Sequence, residues 1–372
     1  MRLNFSVEHI KSDFFQKKPT YIKNAFSPEL FSWQDLDELL YNVDVNAKTV
    51  RLAKNGLMPE SAFLESTHHY GLFRNTFNKS LVYKELDSGA TLILNRIEQK
   101  SLRIKRLCNQ IALFAKGQVV ANGYFAKTGS SAFGNHWDSH DVFASQLLGS
   151  KRWIIYPPTF QDPIAGQKSV DHVQDCPQEA CLDVITMPGD ILYIPRGWWH
   201  CAYPSEGPCF HVAVGVHKPY IIDYLNWINA SILARDKNFR KGLDLDGKSL
   251  IDASMLEALQ SSIADDENLQ AFEEQIIKKE KIDNGFNFEL YCNLSEEFLG
   301  GVSIKLASPF RALEKSISAL PGVEGVLLLA QHLSTDEQSL AVLRSKVPNI
   351  ADEDFFSFIR TLISSEAVFV SK

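Results

Sequence analysis

The residues that could carry out metal chemistry lie in two distant parts of the chain: the triplet His136-Trp137-Asp138, and His200. Side chains of an extended strand alternate between its two faces, so residues two apart project the same way. An imidazole and a carboxylate at that spacing can bind one ion together, and a histidine from a distant strand would complete the set. Two histidines and one carboxylate on one side of an ion leave three coordination positions open, as in non-haem Fe(II) oxygenases. We therefore predict that His136, Asp138 and His200 bind one metal ion.

Two other interpretations of these histidines are open on the sequence alone. An isolated His-x-Asp triplet is more often an exposed histidine beside a capping aspartate in a turn. The second interpretation is a pair of histidines on one face of a helix, because His136 and His140 are four residues apart. Against both, the surrounding residues predict a strand, and His200 follows a predicted buried strand, Ile191–Ile194. We expect His140 to lie behind the metal ligands or to face the substrate.

The composition is that of an ordinary globular protein. Of 372 residues, 45% are hydrophobic and 22% charged, and the net charge is −7 with a pI near 5.8. This charge argues against a surface that binds nucleic acid or anionic membranes. No apolar run is long enough for a transmembrane helix, and the first residues lack the apolar core of a signal peptide. The six cysteines form no Cys-x-x-Cys pair, which predicts free thiols in the reducing cytoplasm.

The chain is too long for one average domain, and its pattern changes along its length. Residues 1–100 mix helix and strand signals, among them a serine-capped helix over 33–40. Over residues 119–216, short runs of β-branched and aromatic residues alternate with turn residues, which predicts an antiparallel sandwich or barrel. After Pro219 the pattern becomes helical.

Two further segments follow the β-rich region. Residues 221–234 and 253–281 are predicted helices, the second acidic and amphipathic. Apolar residues of the first, such as Ile221, Leu225, Trp227 and Ile228, exceed what one solvated helix needs, so we predict a homodimer through this helical region. The tail carries one strand, three short helices and a final β-like run, which is compatible with a winged-helix shape. From Lys278 onward it has 13 acidic and 10 basic residues, which argues against DNA binding. The five predicted tail elements are residues 301–306, 325–332, 336–346, 352–362 and 367–370.

An Fe(II) oxygenase of this kind needs an electron-donating cosubstrate. If this is 2-oxoglutarate, its far carboxylate requires a cation or hydroxyl partner deep in the barrel. Lys151 and Arg152 begin a predicted strand, Lys151–Tyr156, and lie on its opposite faces. Lys151 shares its face with Trp153 and Ile155, the more apolar set, so we predict that Lys151 is the inward cation. A strand-end lysine in solvent is the alternative.

With these residues, the chain resembles the JmjC-type 2-oxoglutarate oxygenases of the cupin superfamily, specifically their ribosomal-oxygenase branch. The segment 122–138, with Asn122 and Tyr124 ahead of the metal ligands, is similar in spacing to that branch's cosubstrate and metal segment. The turn at 149–153 resembles its G-x-K-x-W motif, and the run 189–200 resembles its distal histidine run. The helical region and the tail also match its layout.

The resemblance implies a fold class and a division of the chain. Residues 1–217 would form a double-stranded β-helix, or jelly-roll, JmjC domain with an N-terminal α/β extension. Residues 218–282 would form a helical dimerisation region, and residues 283–372 a winged-helix-like domain.

The resemblance also implies the contents of the site. Fe(II) would bind at the three predicted ligands, and 2-oxoglutarate at Lys151. Asn122 and Tyr124 would lie close to the cosubstrate. His211 is an additional candidate, at a position near which several family members carry serine, threonine or asparagine.

Three functions of different classes fit these residues. The first, implied by the resemblance, is hydroxylation of a protein side chain, with a ribosomal protein as substrate. The second is the same chemistry on a small molecule or free peptide. The third is a binding protein that keeps the fold without turnover. The complete ligand set and Lys151 argue against the third, and the added domains favour the first, because a small substrate needs no such platform.

Overall fold

The computed structural model describes residues 3–4, 7–129, 131, 133–242, 252–279, 285–306 and 337–371. The chain forms two compact units. Unit 1 consists of Met1–Ala115 and Val119–His217, and unit 2 consists of Lys116–Gln118 and Lys218–Lys372. Within the described residues, no helix has the length and apolar character needed to cross a membrane.

Unit 1 contains the β-rich part of the chain. Its helices are α1 (Val7–Asp13), α2 (Trp33–Asn42), α3 (Lys79–Asp87) and α4 (Leu102–Ala115). Its strands are β1 (Thr20–Ile22), β2 (Val50–Ala53), β3 (Leu64–His69), β4 (Leu72–Phe77), β5 (Thr91–Leu94), β6 (Gln118–Ala126), β7 (Asp141–Leu148), β8 (Lys151–Tyr156), β9 (Leu182–Thr186), β10 (Ile191–Ile194), β11 (Trp199–Pro204) and β12 (Cys209–His217).

These strands form two main sheets and a separate hairpin. The larger sheet has the order β1-β10-β7-β12-β6-β5-β2, the smaller has the order β11-β8-β9, and β3 pairs with β4. Every strand within the predicted β-rich region, residues 119–216, belongs to one of the two main sheets, so the prediction of a β domain there is confirmed. The core packs the N-terminal helices against the larger sheet, and a smaller apolar cluster joins residues of the larger sheet to residues of the smaller one.

The first predicted helix begins where its sequence signal lies. The Ser32 hydroxyl accepts a hydrogen bond from the backbone N–H of Asp35, and the Asp35 carboxylate accepts one from the backbone N–H of Ser32. This reciprocal capping box satisfies two backbone donors that the helix leaves unpaired. Leu36 and Leu39 then face the core and are buried, which confirms the predicted helix.

The turn at Gly189 and Asp190 ties β1 to the larger sheet. The buried Asp190 carboxylate accepts hydrogen bonds from the Tyr21 hydroxyl (2.6 Å) and from the backbone N–H groups of Asn24 and Met187 (both 2.9 Å). Three donors compensate for the burial of the charge. The turn therefore holds β1 against β10, whose four residues are all buried as predicted.

The tight turn between β7 and β8 sets the direction of Lys151. Gly149 has a φ of +60°, and a Cβ at this position would lie 2.1 Å from the carbonyl oxygen of Pro208, so only glycine fits. The buried amide of Gln146 donates to the Gly149 carbonyl at 3.1 Å. This local packing starts β8 at Lys151 with its side chain in the interior.

The His-x-Asp triplet does not lie in a strand, so that prediction is wrong. β7 begins only at Asp141. Upstream of it, His136 pairs with His200 in an isolated bridge, and the Gly197 N–H donates to the Asp138 carbonyl at 2.9 Å. This loop is thus held by contacts to a distant segment and not by the continuous hydrogen bonds of a β-sheet.

Unit 2 combines helices with a small sheet of order β14-β13-β15, whose strands are β13 (Ser303–Leu306), β14 (Gln338–Ser339) and β15 (Val368–Ser371). Its helices are α5 (Ile221–Ser231), α6 (Ala253–Ala264), α7 (Asp266–Lys279), α8 (Phe288–Asn293), α9 (Leu340–Ser345) and α10 (Asp352–Ser364).

The predicted elements of unit 2 are mostly present, with different bounds. The helix predicted over 253–281 is two helices, because the chain is extended at Asp265 (φ −77°, ψ 116°). The helix predicted over 325–332 lies outside the described residues. The winged-helix shape and the domain boundaries therefore stay predictions.

Candidate metal centre

The structure brings the three predicted metal ligands together. One ligand atom each from His136, Asp138 and His200 lies within 4.8 Å of the other two. His200 Nε2 is 3.7 Å from Asp138 Oδ2, and the centroids of the two imidazole rings are 4.3 Å apart. The backbones of His136 and His200 hydrogen-bond in both directions, at 3.1 and 2.8 Å, which fixes the rings side by side.

Backbone carbonyl groups determine which nitrogen of each imidazole is free. His136 Nδ1 is 3.1 Å from the carbonyl oxygen of Gly134, and His200 Nδ1 is 3.0 Å from that of Trp198. Because a carbonyl oxygen can only accept, each Nδ1 carries a proton, and the neutral form of each ring has its lone pair on Nε2. Both rings are therefore oriented as metal ligands with a supporting hydrogen bond.

The electrostatic environment keeps two of the ligands, His200 and Asp138, in metal-binding states. Burial, together with the neighbouring His136, lowers the pKa of His200 to about 4, so this ring is neutral at pH 7. Burial alone would raise the pKa of Asp138, but the imidazoles of His136 and His200 outweigh it and the pKa is lowered. Neutral imidazoles and an ionised carboxylate are the forms that bind a cation. With open positions around it, this donor set fits Fe(II).

The metal ligands line a cavity of about 380 Å³. Tyr124 on β6 and His211 on β12 line it from the larger sheet, and Lys151 on β8 lines it from the smaller one. Sites for small molecules have volumes of roughly 300–1,000 Å³. The cavity can therefore hold a small ligand beside the metal ligands.

Lys151 supplies a buried cation to this cavity. Its side chain is 4% exposed, its Nζ is 3.2 Å from His211 Nδ1, and no carboxylate among the described residues forms an ion pair with it. Burial lowers the pKa of Lys151, because an unpaired charge is costly in the interior. Arg152 points the other way and forms an exposed ion pair with Asp183. The structure thus has the inward lysine that the alternation of β8 predicts, and the cavity favours an anionic ligand.

The remaining candidates lie outside the cavity lining. Asn122 hydrogen-bonds to the Tyr124 hydroxyl, and its Oδ1 accepts from the backbone N–H of Arg96 at 3.2 Å. Asn122 is not part of the cavity lining, so its place near the cosubstrate stays a prediction. His140 stacks on His217 with 4.8 Å between ring centroids, and it does not line the cavity.

Trp153 lines the site but is not among the residues predicted from the sequence. It lines the cavity, is 4% exposed, and its indole N–H has no hydrogen-bond partner among the residues that the structure describes. Leaving such a group unpaired costs about 1–3 kcal/mol. The available signal was its position two residues after Lys151, on the same face of β8, but an aromatic residue there is also what a barrel core requires.

One family model matches part of the chain. The model described as JmjC domain matches residues 93–224, about a third of the chain, and this segment contains the three metal ligands and Lys151.

Known proteins match most of the chain at low sequence identity. It is similar to a histidyl-hydroxylase and lysine demethylase, NO66, of Dictyostelium discoideum (26% identity over 57% of this chain and 41% of that one). It is also similar to a probable ribosomal oxygenase of Haemophilus influenzae (27% identity, 72% of this chain and 62% of that one). The chain thus spans about two fifths to three fifths of the length of these two relatives. The Escherichia coli ribosomal oxygenase YcfD has the same fold (TM-score 0.55, 18% identity, both chains covered completely).

The metal-free protein should lose stability as the pH falls from about 6.5 to 4. In the unfolded chain His200 binds a proton near pH 6.5, but in the folded chain only near pH 4. The unfolded state therefore takes up more protons in this interval, and His200 alone should lower the free energy of unfolding by about 3 kcal/mol. Urea denaturation at several pH values measures this. His200→Asn should flatten the dependence, and equal slopes for both proteins would contradict the assignment.

Proposed function

We propose that the protein is an Fe(II)- and 2-oxoglutarate-dependent oxygenase that hydroxylates a side chain of a ribosomal protein. The observation that carries the chemistry is the presence, in one cavity, of the three-ligand set and the buried ammonium group of Lys151. A site that bound only a metal ion would need no such cation. A cosubstrate that binds the metal at one end and carries a carboxylate at the other needs both.

Each residue then has a positioning task. Fe(II) with its cosubstrate supplies the oxidant for a C–H bond when O₂ is present. The Nε2 atoms of His136 and His200 and the Asp138 carboxylate hold the ion and leave its remaining positions open to the cavity. Lys151 orients the far carboxylate, with Tyr124 beside it. The apolar part of the lining keeps bulk water away from the reacting atoms.

Two observations support a ribosomal protein as the substrate. The relatives from Haemophilus influenzae and Escherichia coli are named ribosomal oxygenases. The chain has a net charge of −7, and ribosomal proteins are mostly basic, so the long-range attraction has the right sign. The proposal implies a cytoplasmic location, where ribosomes are found.

The experiment is incubation of the purified protein with Fe(II), 2-oxoglutarate and a set of ribosomal proteins. We expect a mass gain of one oxygen atom on one residue of one protein, with an equal amount of succinate. The Asp138→Ala variant, incubated in parallel, should give neither product.

Other outcomes would replace the proposal. Loss of methyl groups in place of an oxygen gain would identify a demethylase. Succinate formed only with a small metabolite or free peptide would establish the second function. Binding of the cosubstrate without succinate in any reaction would indicate a non-catalytic protein.

We also propose a homodimer formed through residues 218–282. Residues 283–372 would form a separate domain. On α5, Ile221 is 80% exposed, and on α6, Leu256 is 53% exposed. When a second copy of the chain covers exposed apolar side chains, they are removed from water, which stabilises the dimer. Light scattering at micromolar concentration should give twice the chain mass of 41.9 kDa. Ile221→Glu should shift the protein to monomer, and a monomeric parent protein would refute the proposal.

A further inference from the structure

Two adjoining cavities lie outside the metal centre, in unit 1. Their volumes are about 450 and 500 Å³, and Trp33, Tyr83, Leu86 and Phe125 line both of them, so the two form one continuous depression. We call it the aromatic groove. Among the described residues, none lines both this groove and the metal cavity, so the groove is a separate site.

Exposed aromatic and buried aliphatic side chains line the groove together. Trp33 and Tyr41 on α2 are 49% and 82% exposed, and Tyr83 on α3 is 65% exposed, whereas Leu86 and Leu92 are buried. Tryptophan and tyrosine are enriched at protein interfaces, where they bury a large apolar area and keep a polar atom at the edge. The groove therefore has the composition of a surface that binds a protein segment.

The charged residues of the groove leave one carboxylate without a charged partner. Lys127 forms an ion pair with Asp87. Lys79 Nζ lies 5.9 Å from the centroid of the Tyr41 ring, a cation–π contact. Asp37 is exposed and forms no ion pair with any other described residue. The groove thus offers a carboxylate beside aromatic rings, a combination that suits a cationic side chain.

An arginine side chain fits this combination. Asp37 lies one helical turn after Trp33 on α2, so the two side chains project from the same face. A guanidinium group can pair with the carboxylate and stack its flat face on an aromatic ring, and arginine is enriched at protein interfaces. The net charge of −7 also attracts basic partners. The occupant that this chemistry favours is a basic protein segment with an apolar residue beside its arginine.

The groove and the metal cavity lie on opposite faces of the same two strands. On β6, Tyr124 and Ala126 line the metal cavity, and Phe125 between them lines the groove. On β5, Thr91 lines the metal cavity and Leu92 lines the groove. Successive side chains of a strand point to opposite faces of its sheet. A segment in the groove and a side chain in the metal cavity must therefore come from different parts of a partner.

We propose that the aromatic groove binds a basic, arginine-containing segment of the protein substrate, at a distance from the residue that is hydroxylated. This rests on the proposed function, and it extends it to how the substrate is recognised. The groove adds affinity for the whole substrate without contacting the reacting atoms, because the second contact is intramolecular once the first has formed.

The first test measures binding without turnover. Overlapping synthetic peptides that cover the ribosomal proteins are titrated into the metal-free protein, and binding is followed by fluorescence anisotropy. We expect a peptide that contains arginine to bind. Trp33→Ala should weaken its binding about 30-fold, as for a tryptophan at the centre of an interface, and Asp37→Asn about fivefold. Binding of no peptide would refute the proposal.

Two further variants make this test decisive. Phe73→Ala is the matched control, because Phe73 is an exposed aromatic residue of the β3–β4 hairpin that does not line the groove. It should bind the peptide as the parent protein does. Tyr83→Ala changes the groove from a different helix, so a folding defect in Trp33→Ala does not decide the result. Equal affinities in the parent protein, Trp33→Ala and Tyr83→Ala would overturn the proposal.

The second test separates docking from chemistry. With a whole ribosomal protein as substrate, Trp33→Ala should raise KM about tenfold and leave kcat unchanged. With a short peptide that carries only the target residue, neither constant should change. A fall in kcat with both substrates would mean that the substitution acts through β5 and β6 on the metal cavity, and the docking role would then be wrong.

The outcomes separate this inference from the proposed function. If a whole ribosomal protein is hydroxylated with the same KM by the parent protein and by the groove variants, only the role of the groove fails. If a ribosomal peptide binds with the expected losses in the variants but no ribosomal protein is hydroxylated, the groove stands as a site for a basic segment and the proposed function fails.

Discussion

Replacing Asp138 with alanine should abolish turnover and weaken binding of a divalent metal ion by more than about 100-fold. Asp138 is the only anionic member of the ligand cluster that the described residues form, with Oδ2 3.7 Å from His200 Nε2. Residues that merely support a metal ligand already contribute about 10–100-fold to affinity, so the loss of a ligand should exceed this. Without the carboxylate, the two neutral imidazoles also lose the charge that attracts the cation. Calorimetric titration with Fe(II) under anaerobic conditions, and succinate formation, measure the two effects.

The matched control is His140→Ala. His140 is two residues from Asp138 but stacks on His217, and it does not line the cavity. It should keep most of the metal affinity. Equal losses in the two variants would show that the ligands are assigned wrongly, and urea denaturation of both variants establishes that they fold.

Replacing Lys151 with methionine should weaken 2-oxoglutarate binding at least about 30-fold and leave metal affinity unchanged. Losing a charge-assisted partner in a dry pocket typically costs about 2–5 kcal/mol, and 2 kcal/mol corresponds to about 30-fold. The ammonium group is buried without a carboxylate partner among the described residues, so methionine should also raise the free energy of unfolding of the ligand-free protein. A gain in stability combined with a loss of binding distinguishes a ligand-binding residue from a structural one.

The neighbouring residue provides the control for this experiment. Arg152 lies on the opposite face of β8, exposed and paired with Asp183, so Arg152→Met should leave cosubstrate affinity unchanged. If Arg152→Met weakens binding and Lys151→Met does not, the far carboxylate binds elsewhere. Calorimetry with 2-oxoglutarate, and denaturation without it, give both quantities.

Much of the fold follows from local patterns in the sequence. The capping box at Ser32 and Asp35, the four apolar residues of β10 and the alternation of β8 act over a few residues, so each element could be predicted with its buried face. The assignment of the metal ligands also started from residue types and spacing. Metal binding by these residues stays a prediction, but the structure brings the three ligand atoms within 4.8 Å of one another.

Other features depend on residues that are distant in the chain. The His-x-Asp triplet is held by its isolated bridge to His200 and by the hydrogen bond from Gly197, and the strand expected from its neighbours begins only at Asp141. Asn122, which the resemblance places near the cosubstrate, accepts a hydrogen bond from the backbone N–H of Arg96 and is not part of the cavity lining, so its role stays a prediction.

The sequence by itself determined which chemistry the chain can support and which face of β8 carries the cation, because residue types and strand alternation are local properties. Only the tertiary structure decided that Lys151 contacts His211, and that within the described part of the chain no carboxylate pairs with Lys151 and no acceptor with the Trp153 N–H. Lys151 and Trp153 lie on β8, and His211 lies on β12 of the other sheet. A buried donor or charge is satisfied or unsatisfied according to what the fold brings beside it, and chain spacing carries no information about that.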